Sequence, residues 1–207
     1  MRVIDHIVYA VTDLDEAILE FEAKTGIRPT FGGYHQHKGT KNALVNIGDG
    51  AYLELIAVDE KNTAISAPRW MGVDLIAEAQ VTRWSLKSDQ LEEDSQALQT
   101  FDTNMGVIEG GQRNTAAGDL LSWMMILPLA EPVVEIAPFV TSWGKGSVHP
   151  TQNLSPVCPL LDIQFAHPEP HTLSKLWSEL GLSYPILAGP KPQIKILLDC
   201  PKGNIEF

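Results

Sequence analysis

The sequence is poor in basic residues and has no long apolar run. It carries 15 Lys and Arg against 26 Asp and Glu, a formal net charge of -11 at pH 7. Nucleic acids and anionic membranes bind proteins through clustered cations, so this balance argues against both as partners. The most apolar stretch, residues 120–130, is interrupted by Pro128 and is too short to span a bilayer. We therefore expect a small-molecule ligand, and we leave a homodimer open.

Cysteine is also scarce. Cys158 and Cys200 lack a CxxC partner and any metal-ligand spacing, which predicts two reduced thiols in or near the core. The amino-terminal segment places Asp5 and His6 inside its apolar run, unlike the apolar region of a signal peptide. We therefore predict a cytoplasmic protein.

What the chain does contain is a recurring order of elements. Residues 3–11 predict a strand that is apolar on both faces, and a capping box at 13–16 predicts the start of a helix. Two apolar strands follow, joined by a turn at 48–50. On the first strand, simple alternation places four side chains on one face: Ile4, His6, Val8 and Ala10.

The same order returns twice, which divides the chain into modules. We predict a first module at 1–58, a second at 80–143 and a third, shortened module at 160–207, with linkers at 59–79 and 144–159. The predicted fold class is α+β. Repeated βαβββ modules would form curved mixed sheets around a cavity, with the helices outside, in one compact unit.

Several segments resemble a known family. Three segments resemble modules of the vicinal oxygen chelate superfamily, which includes glyoxalases, bleomycin-resistance proteins and dioxygenases. They are IDHIVYAVTDLDEAILEFEAKTGI, NIGDGAYLELIAV and DCPKGNIEF. Three further segments resemble the glyoxalase-like domain family of this superfamily: GGYHQHKGTKNAL, SWGKGSVHP and IQFAHPEPHTLSKLWSELGL. The resemblance covers essentially the whole chain. It implies a cup between paired modules, but the scaffold hosts isomerases, lyases, dioxygenases and binding proteins alike.

The resemblance also implies a metal-ligand pair. Superfamily enzymes commonly hold a divalent metal with a histidine on a module's first strand and a glutamate on its last strand, and His6 and Glu54 match these positions. Such a pair suits Zn, Ni, Mn or Fe with open positions that chelate two neighbouring substrate oxygens. The alternative is a metal-free cavity in which the two side chains bond to each other or to a ligand.

The other modules depart from this ligand pattern. In the second module the histidine position falls near residues 82–84, where no histidine stands, and the acidic position is Glu135 or the non-ligating Ser142. In the third module Leu161 stands at the histidine position, although Glu206 matches the acidic one. The expected ligand set is therefore incomplete.

The resemblance extends the candidate site to neighbouring polar residues. His35, Thr40 and Asn42 match the family motifs GGxH and GTxNAL. The match implies that His35 reaches the pocket, where either His35 or Glu54 would serve as the catalytic base. We expect Thr40 and Asn42 to contact the substrate.

Further substrate-binding candidates lie in and after the second module. Trp84, Trp123 and Trp143 stand on its predicted strands and are expected to line the cup with apolar rings and indole N–H groups. Arg113 is a bidentate donor suited to a carboxylate or phosphate. His149 matches a family word and is expected to close the cup and share an anionic group with Arg113.

Two classes of function stay open at this point. The first is a lyase or isomerase of glyoxalase-like type that acts on a small oxygen-rich carbonyl or hydroxy-acid compound. The second is a non-catalytic protein that binds or sequesters a small molecule with a degenerate metal site. The incomplete ligand set keeps the two classes close, so we leave open whether the protein is an enzyme.

Overall fold

The computed structural model describes residues 2–114 and 120–207 of the chain, and the side chains of Arg113, Asn114 and Leu120 lie outside that description. The first group of elements is β1 (Val3–Ala10), α1 (Leu14–Thr25), β2 (Thr30–His35), β3 (Thr40–Asn46) and β4 (Tyr52–Val58). The second group is β5 (Gln80–Lys87), α2 (Leu91–Phe101), β6 (Ile108–Asn114), β7 (Leu120–Ile126) and β8 (Phe139–Trp143). The third group is β9 (Leu160–His167), α3 (Ser174–Glu179), β10 (Ile186–Ala188), β11 (Gln193–Cys200) and β12 (Gly203–Glu206). We call these groups the first, second and third modules.

The first two modules share one sheet of eight strands. Its order is β2-β3-β4-β1-β5-β8-β7-β6, so that β1 and β5 meet antiparallel at the centre. In each of these two modules the first and last strands are parallel neighbours. The sheet is strongly curled into a half-barrel, and the predicted α+β fold class is confirmed. The concave face of this half-barrel holds the cavity described below.

A β-bulge occurs at the same place in both central strands. The pairing of β1 with β5 shifts between Ile4 and His6, which leaves Asp5 of β1 as the extra residue. It shifts again between Val8 and Tyr9, which leaves Thr82 of β5 as the extra residue. The two bulges are related by the approximate twofold symmetry of the modules. Asp5 and His6 of β1 therefore correspond to Thr82 and Arg83 of β5.

The bulge changes which side chains face the cavity. Ile4 and Ile7 both belong to the core on the convex side, whereas Val8 and Ala10 pack on the concave side. The prediction that Ile4 shares a face with His6 is therefore wrong, because strict alternation fails across a bulged residue. Asp5 turns to the concave side instead and contacts the neighbouring His6 ring.

The convex face is covered by helices and by the third module. Helix α1 begins after Asp13, whose carboxylate accepts a hydrogen bond from the backbone of Glu16 at 2.9 Å, and it packs on β3 and β4. The third module forms a separate sheet of order β10-β9-β11-β12. Its first strand pairs in parallel with the strand after its helix, a topology that differs from the other modules. In the described parts of the chain no helix is long and apolar enough to cross a bilayer.

Trp84 lies in the core between these two sheets. Its side chain is fully buried, its ring lies 4.7 Å from that of Phe165, and its Nε1 donates to the carbonyl of Ile136 at 2.7 Å. The expected place of Trp84 in the cup is therefore wrong. Trp84 follows Arg83 on β5 and so faces the opposite side of the sheet.

Cys158 and Cys200 form a disulfide bond, so the prediction of two reduced thiols is wrong. Cys158 lies in the segment before β9, and its backbone N–H donates to the carbonyl of Asn46 at 2.8 Å. Cys200 is the last residue of β11. The bond thus attaches this connecting segment to the third module. Disulfides are rare in a reducing cytoplasm, and the cytoplasmic location stays a prediction.

We expect Cys200→Ser to lower the free energy of unfolding by roughly 2–4 kcal/mol, because the bond closes a long loop in the unfolded chain. Urea titration followed by circular dichroism measures the change. Reductant should destabilise the wild-type protein by the same amount and should leave the variant unaffected. Two thiols that alkylate in denatured, unreduced protein would contradict the bond.

Candidate functional site

A row of buried polar side chains crosses the concave face of the first module. It runs from Asp5 through His6 and Glu54 to Asn42 and His35. Four of the five are less than 4% exposed, and His35 is nearly as deep. Groups of this kind leave water only where they find partners, so the arrangement of their hydrogen bonds defines the site.

Asp5 is the most fully enclosed member of the row. Its Oδ1 lies 2.7 Å from Nδ1 of His6, and its Oδ2 accepts from Nε1 of Trp143 at 2.8 Å and lies 3.3 Å from Nε2 of His149. Burial alone would raise the pKa of Asp5, but hydrogen bonds from His149 and His6 hold that pKa well below its ordinary value. Asp5 is therefore a carboxylate, and each histidine presents an N–H to it.

Glu54 stands opposite the free nitrogen of His6. Its position on β4 is paired with Val8 of β1, which brings its side chain out on the same concave face as His6. Oε1 accepts from Nδ2 of Asn42 at 2.6 Å, whereas Oε2 lies 3.7 Å from Nε2 of His6, beyond hydrogen-bond distance. One oxygen of Glu54 is thus anchored, and the other faces His6.

His35 is oriented by residues that the sequence assigned to substrate contact. Its Nδ1 lies 3.0 Å from the hydroxyl of Thr40, which also accepts from Nε1 of Trp70 at 3.1 Å. The other ring nitrogen, Nε2, lies 3.8 Å from Oε1 of Glu54. Thr40 and Asn42 are therefore placed to hold His35 and Glu54, and their predicted contact with substrate stays a prediction.

The second module does not complete a metal site around His6 and Glu54. By the symmetry of the sheet, Arg83 corresponds to His6, and Ser85 corresponds to Val8. Because Val8 pairs with Glu54 and Ser85 pairs with Phe139, Phe139 corresponds to Glu54. Arg83 is buried and donates to backbone carbonyls at 2.6–3.0 Å, and the Phe139 ring meets the His6 ring edge-on at 5.0 Å.

Neither of these counterparts can donate an electron pair to a cation. Burial lowers the pKa of Arg83 only to about 10, so its side chain remains positively charged at neutral pH. Among the described residues no group of three or more His, Cys, Asp or Glu side chains is arranged to hold a metal ion. The residues present therefore do not fit the divalent metal that the sequence suggested at His6 and Glu54.

The polar row opens into a larger cleft. A chamber of about 30 Å³ lies against His6 and Glu54, which is room for about one water molecule. A cleft of about 670 Å³ adjoins it, and four residues line both spaces: His35, Trp70, Trp123 and Met125. A cleft of this size accommodates an organic molecule much larger than the chamber itself.

An ion pair joins two of the residues that line this cleft. Nζ of Lys38, in the turn after β2, lies 2.9 Å from Oε1 of Glu109 on β6 and 5.5 Å from the centre of the Trp70 ring. Strands β2 and β6 are the two ends of the eight-stranded sheet. The pair therefore links the two edges of the half-barrel.

The remaining predicted residues take different positions. Trp123 lines the cleft, its ring 5.9 Å from that of Trp143, whose N–H is committed to Asp5. His149 is buried and also contacts Asp5, and its Nδ1 lies 2.8 Å from the hydroxyl of Thr151. Arg113 belongs to β6, but its side chain lies outside the described residues. The joint anion site of Arg113 and His149 stays a prediction.

Two residues of the site were not singled out from the sequence. Asp5 carries a signal, since a carboxylate beside a histidine inside an apolar strand must be paired, but alternation placed it on the other face. Trp70 lies in a stretch taken as a linker, where a 3₁₀ turn at Trp70–Gly72 brings it to the cup. No periodicity in that stretch points to a tryptophan in the site.

Comparison with known proteins decides the family. The model of the glyoxalase-like domain matches residues 4–181. The chain belongs to the glyoxalase-like domain family. The resemblance to this family that several sequence segments indicated is thereby confirmed. No curated protein matches the sequence of this glyoxalase-like protein.

Solved structures are similar to this glyoxalase-like chain at low sequence identity. A hypothetical protein from Staphylococcus aureus is similar with a TM-score of 0.67 and 17% identity, over 93% of this chain and 88% of that chain. Methylmalonyl-CoA epimerase from Mycobacterium tuberculosis has a TM-score of 0.43 and 17% identity, over 68% of this chain and 85% of its own. The Streptomyces coelicolor epimerase in complex with 2-nitronate-propionyl-CoA has a TM-score of 0.42 and 18% identity, over 67% and 95%.

The buried Asp5 carboxylate should make stability depend on pH. Because its pKa is lower in the folded protein than in the unfolded chain, its stabilising effect is present above pH of about 4 and declines as the pH falls below that value. We expect Asp5→Asn to reduce the free energy of unfolding at pH 7 by about 1.5–3 kcal/mol, the range for hydrogen bonds to a charged group.

The measurement is urea unfolding of both proteins from pH 7 to pH 3. The difference between wild type and Asp5→Asn should shrink at the acidic end. Asp162→Asn, a change at an exposed aspartate on β9, serves as the matched control and should show little difference at any pH. A difference for Asp5→Asn that does not vary with pH would show that Asp5 is not a buried carboxylate.

Proposed function

We propose that this glyoxalase-like protein is a lyase or isomerase-type enzyme that transfers a proton at a carbon next to a carbonyl group, with Glu54 as the base. One observation carries the proposal. The Glu54 carboxylate is buried, with Oε1 fixed by Asn42 at 2.6 Å and Oε2 left beyond hydrogen-bond distance of His6. A buried, oriented carboxylate with one free oxygen is suited to general-base catalysis.

The proposed step uses only side chains of the site. Oε2 of Glu54 accepts the proton, the C–H electron pair becomes part of a carbon–carbon double bond, and the carbonyl electron pair moves to the oxygen. The enolate oxygen accepts a hydrogen bond from His6 when Nε2 carries a proton. Return of the proton from Glu54 to the α-carbon restores the carbonyl compound. In a substrate with an α-hydroxyl group, the proton of that hydroxyl moves to the enolate oxygen and Glu54 returns its proton to the former carbonyl carbon, which completes the isomerisation, so no oxidant or reductant is required.

Asp5 has a positioning role in this scheme. Its contact with Nδ1 at 2.7 Å fixes the orientation of His6 and compensates positive charge on the ring. The Tyr52 ring stacks on one face of the imidazole, with the ring centres 4.6 Å apart and an angle of 12° between the ring planes. His6 is therefore held with Nε2 directed to the chamber beside Glu54.

Deuterium exchange tests the proposed base. In D2O, the wild-type protein should accelerate loss of the α-proton signal from at least one member of a panel of 2-oxo and 2-hydroxy acids, followed by proton NMR. Glu54→Gln should reduce the rate by about 10²–10⁴-fold, because an amide cannot accept the proton. Glu206→Gln changes an exposed glutamate on β12 and should exchange as the wild type does.

Equal rates for Glu54→Gln and wild type would contradict the role of Glu54. The second candidate function is a non-catalytic binding protein, which is favoured by Arg83 and Phe139 at the positions that would complete a ligand set. Compounds that bind to the wild-type protein without exchange above the buffer rate would support this second function.

Metal content provides a further prediction. Because the donor set around His6 and Glu54 is incomplete, we expect purified protein treated with a chelator to keep its exchange rate and to contain no stoichiometric transition metal by mass spectrometry. Loss of the exchange after chelation, followed by recovery with Zn, Ni, Mn or Fe, would show instead that the site holds a metal.

A further inference from the structure

The two halves of the cavity have opposite character. On β3 of the first module, Asn42 pairs with Gly33 and projects a polar amide toward Glu54. On β7 of the second module, Trp123 pairs with Gly111 and presents an indole ring. Around the chamber, the first module thus contributes mainly polar side chains, His6, His35, Asn42 and Glu54, and the second module contributes mainly apolar ones, Trp123, Met125 and Trp143.

Gly111 determines where the Trp123 ring lies. A Cβ atom built at this glycine would overlap indole Cε2 and come within 2.5 Å of Nε1, closer than real Cβ atoms approach other side chains. The ring therefore lies against the bare backbone of β6, in space that only glycine leaves free. Any larger residue at 111 would push the indole away from β6 and into the cleft.

The space that this arrangement leaves open is large for a three-carbon acid. The cleft of about 670 Å³ is lined by Trp70 and Trp123 and adjoins the chamber at Glu54. Nε1 of Trp70 is held by Thr40 at 3.1 Å, so this ring also has a fixed orientation. Fixed indole rings that line a cleft bind flat apolar groups through stacking and through burial of apolar surface.

We propose that the ligand is a carbonyl compound with a flat apolar group of about the size of a phenyl or indole ring, seated against Trp123, and that Gly111 sets this specificity. The oxygen-bearing end lies where the cleft meets the chamber, with one oxygen directed to His6 and Glu54, and this part of the inference rests on the proposed function. The apolar group occupies the cleft between the chamber and the Lys38–Glu109 ion pair.

Equilibrium binding to three 2-oxo acids tests the specificity. Pyruvate, phenylpyruvate and indole-3-pyruvate share one oxygen-bearing end and differ in the attached ring, so isothermal titration calorimetry isolates the ring. We expect the two aryl compounds to bind the wild-type protein about 10- to 100-fold more tightly than pyruvate. Trp123→Ala should remove most of this difference. Equal Kd values for the three acids, or an unchanged preference in Trp123→Ala, would overturn the proposal.

Two alanine variants on one strand test the role of Gly111. Gly111→Ala should displace the Trp123 ring and weaken aryl binding at least tenfold, with pyruvate binding little changed. Gly110→Ala is the matched control, because a Cβ at that position would meet the Sδ atom of the exposed Met124 at 3.3 Å and not Trp123 side-chain atoms. Gly111→Ala with wild-type preference would overturn this role. If Gly111→Ala does not fold by circular dichroism, Trp123→Ala decides the question.

The outcome for the ligand is separable from the outcome for catalysis. Tight aryl binding without deuterium exchange would support the ligand class and reject the proposed enzyme. Exchange with pyruvate as efficient as with the aryl acids, at equal affinities, would support the base at Glu54 and reject the ligand class.

Discussion

The buried carboxylate of Asp5 is the constraint on which the site depends. An isolated charge in the interior is strongly unfavourable, so folding must supply donors to both of its oxygens. Those donors come from three parts of the chain: the adjacent residue His6, the end of β8 at Trp143, and the segment after it at His149. Asp5 therefore connects both halves of the half-barrel with the segment that leads to the third module.

The β-bulge makes this arrangement compatible with a sheet. Without the extra residue, Asp5 and His6 would project from opposite faces of β1, and the carboxylate would enter the apolar core. With it, the two side chains meet on the concave face while Ile4 and Ile7 both fill the convex core. The same bulge in β5 projects Arg83 on the concave side of the second module, where backbone carbonyls accept hydrogen bonds from both of its terminal nitrogens. Equivalent backbone geometry thus supports two different chemistries.

Local patterns in the sequence were sufficient to predict the fold class, whereas the site depended on contacts that no local pattern records. Turn glycines, the capping residue Asp13 and the family words gave the α+β class and placed Glu54 on a strand. The face of Asp5 could not be predicted, because a bulge is a property of two paired strands. The burial of Trp84 could not be predicted, because it results from the third module packing behind β5. The disulfide bond could not be predicted either, because Cys158 lies in a connecting segment without periodicity.

The ion pair between Lys38 and Glu109 has a mechanical consequence. The two edge strands that it joins are the ends of the sheet order, so the seam of the half-barrel is held here by long, flexible side chains. Such pairs exchange partners with water at little cost in free energy. Rotation about side-chain bonds is therefore enough to break and re-form this contact between the two edges of the sheet. The side-chain contacts that hold Asp5, His6 and Glu54 lie elsewhere in the half-barrel, so opening the pair leaves the buried polar row in place.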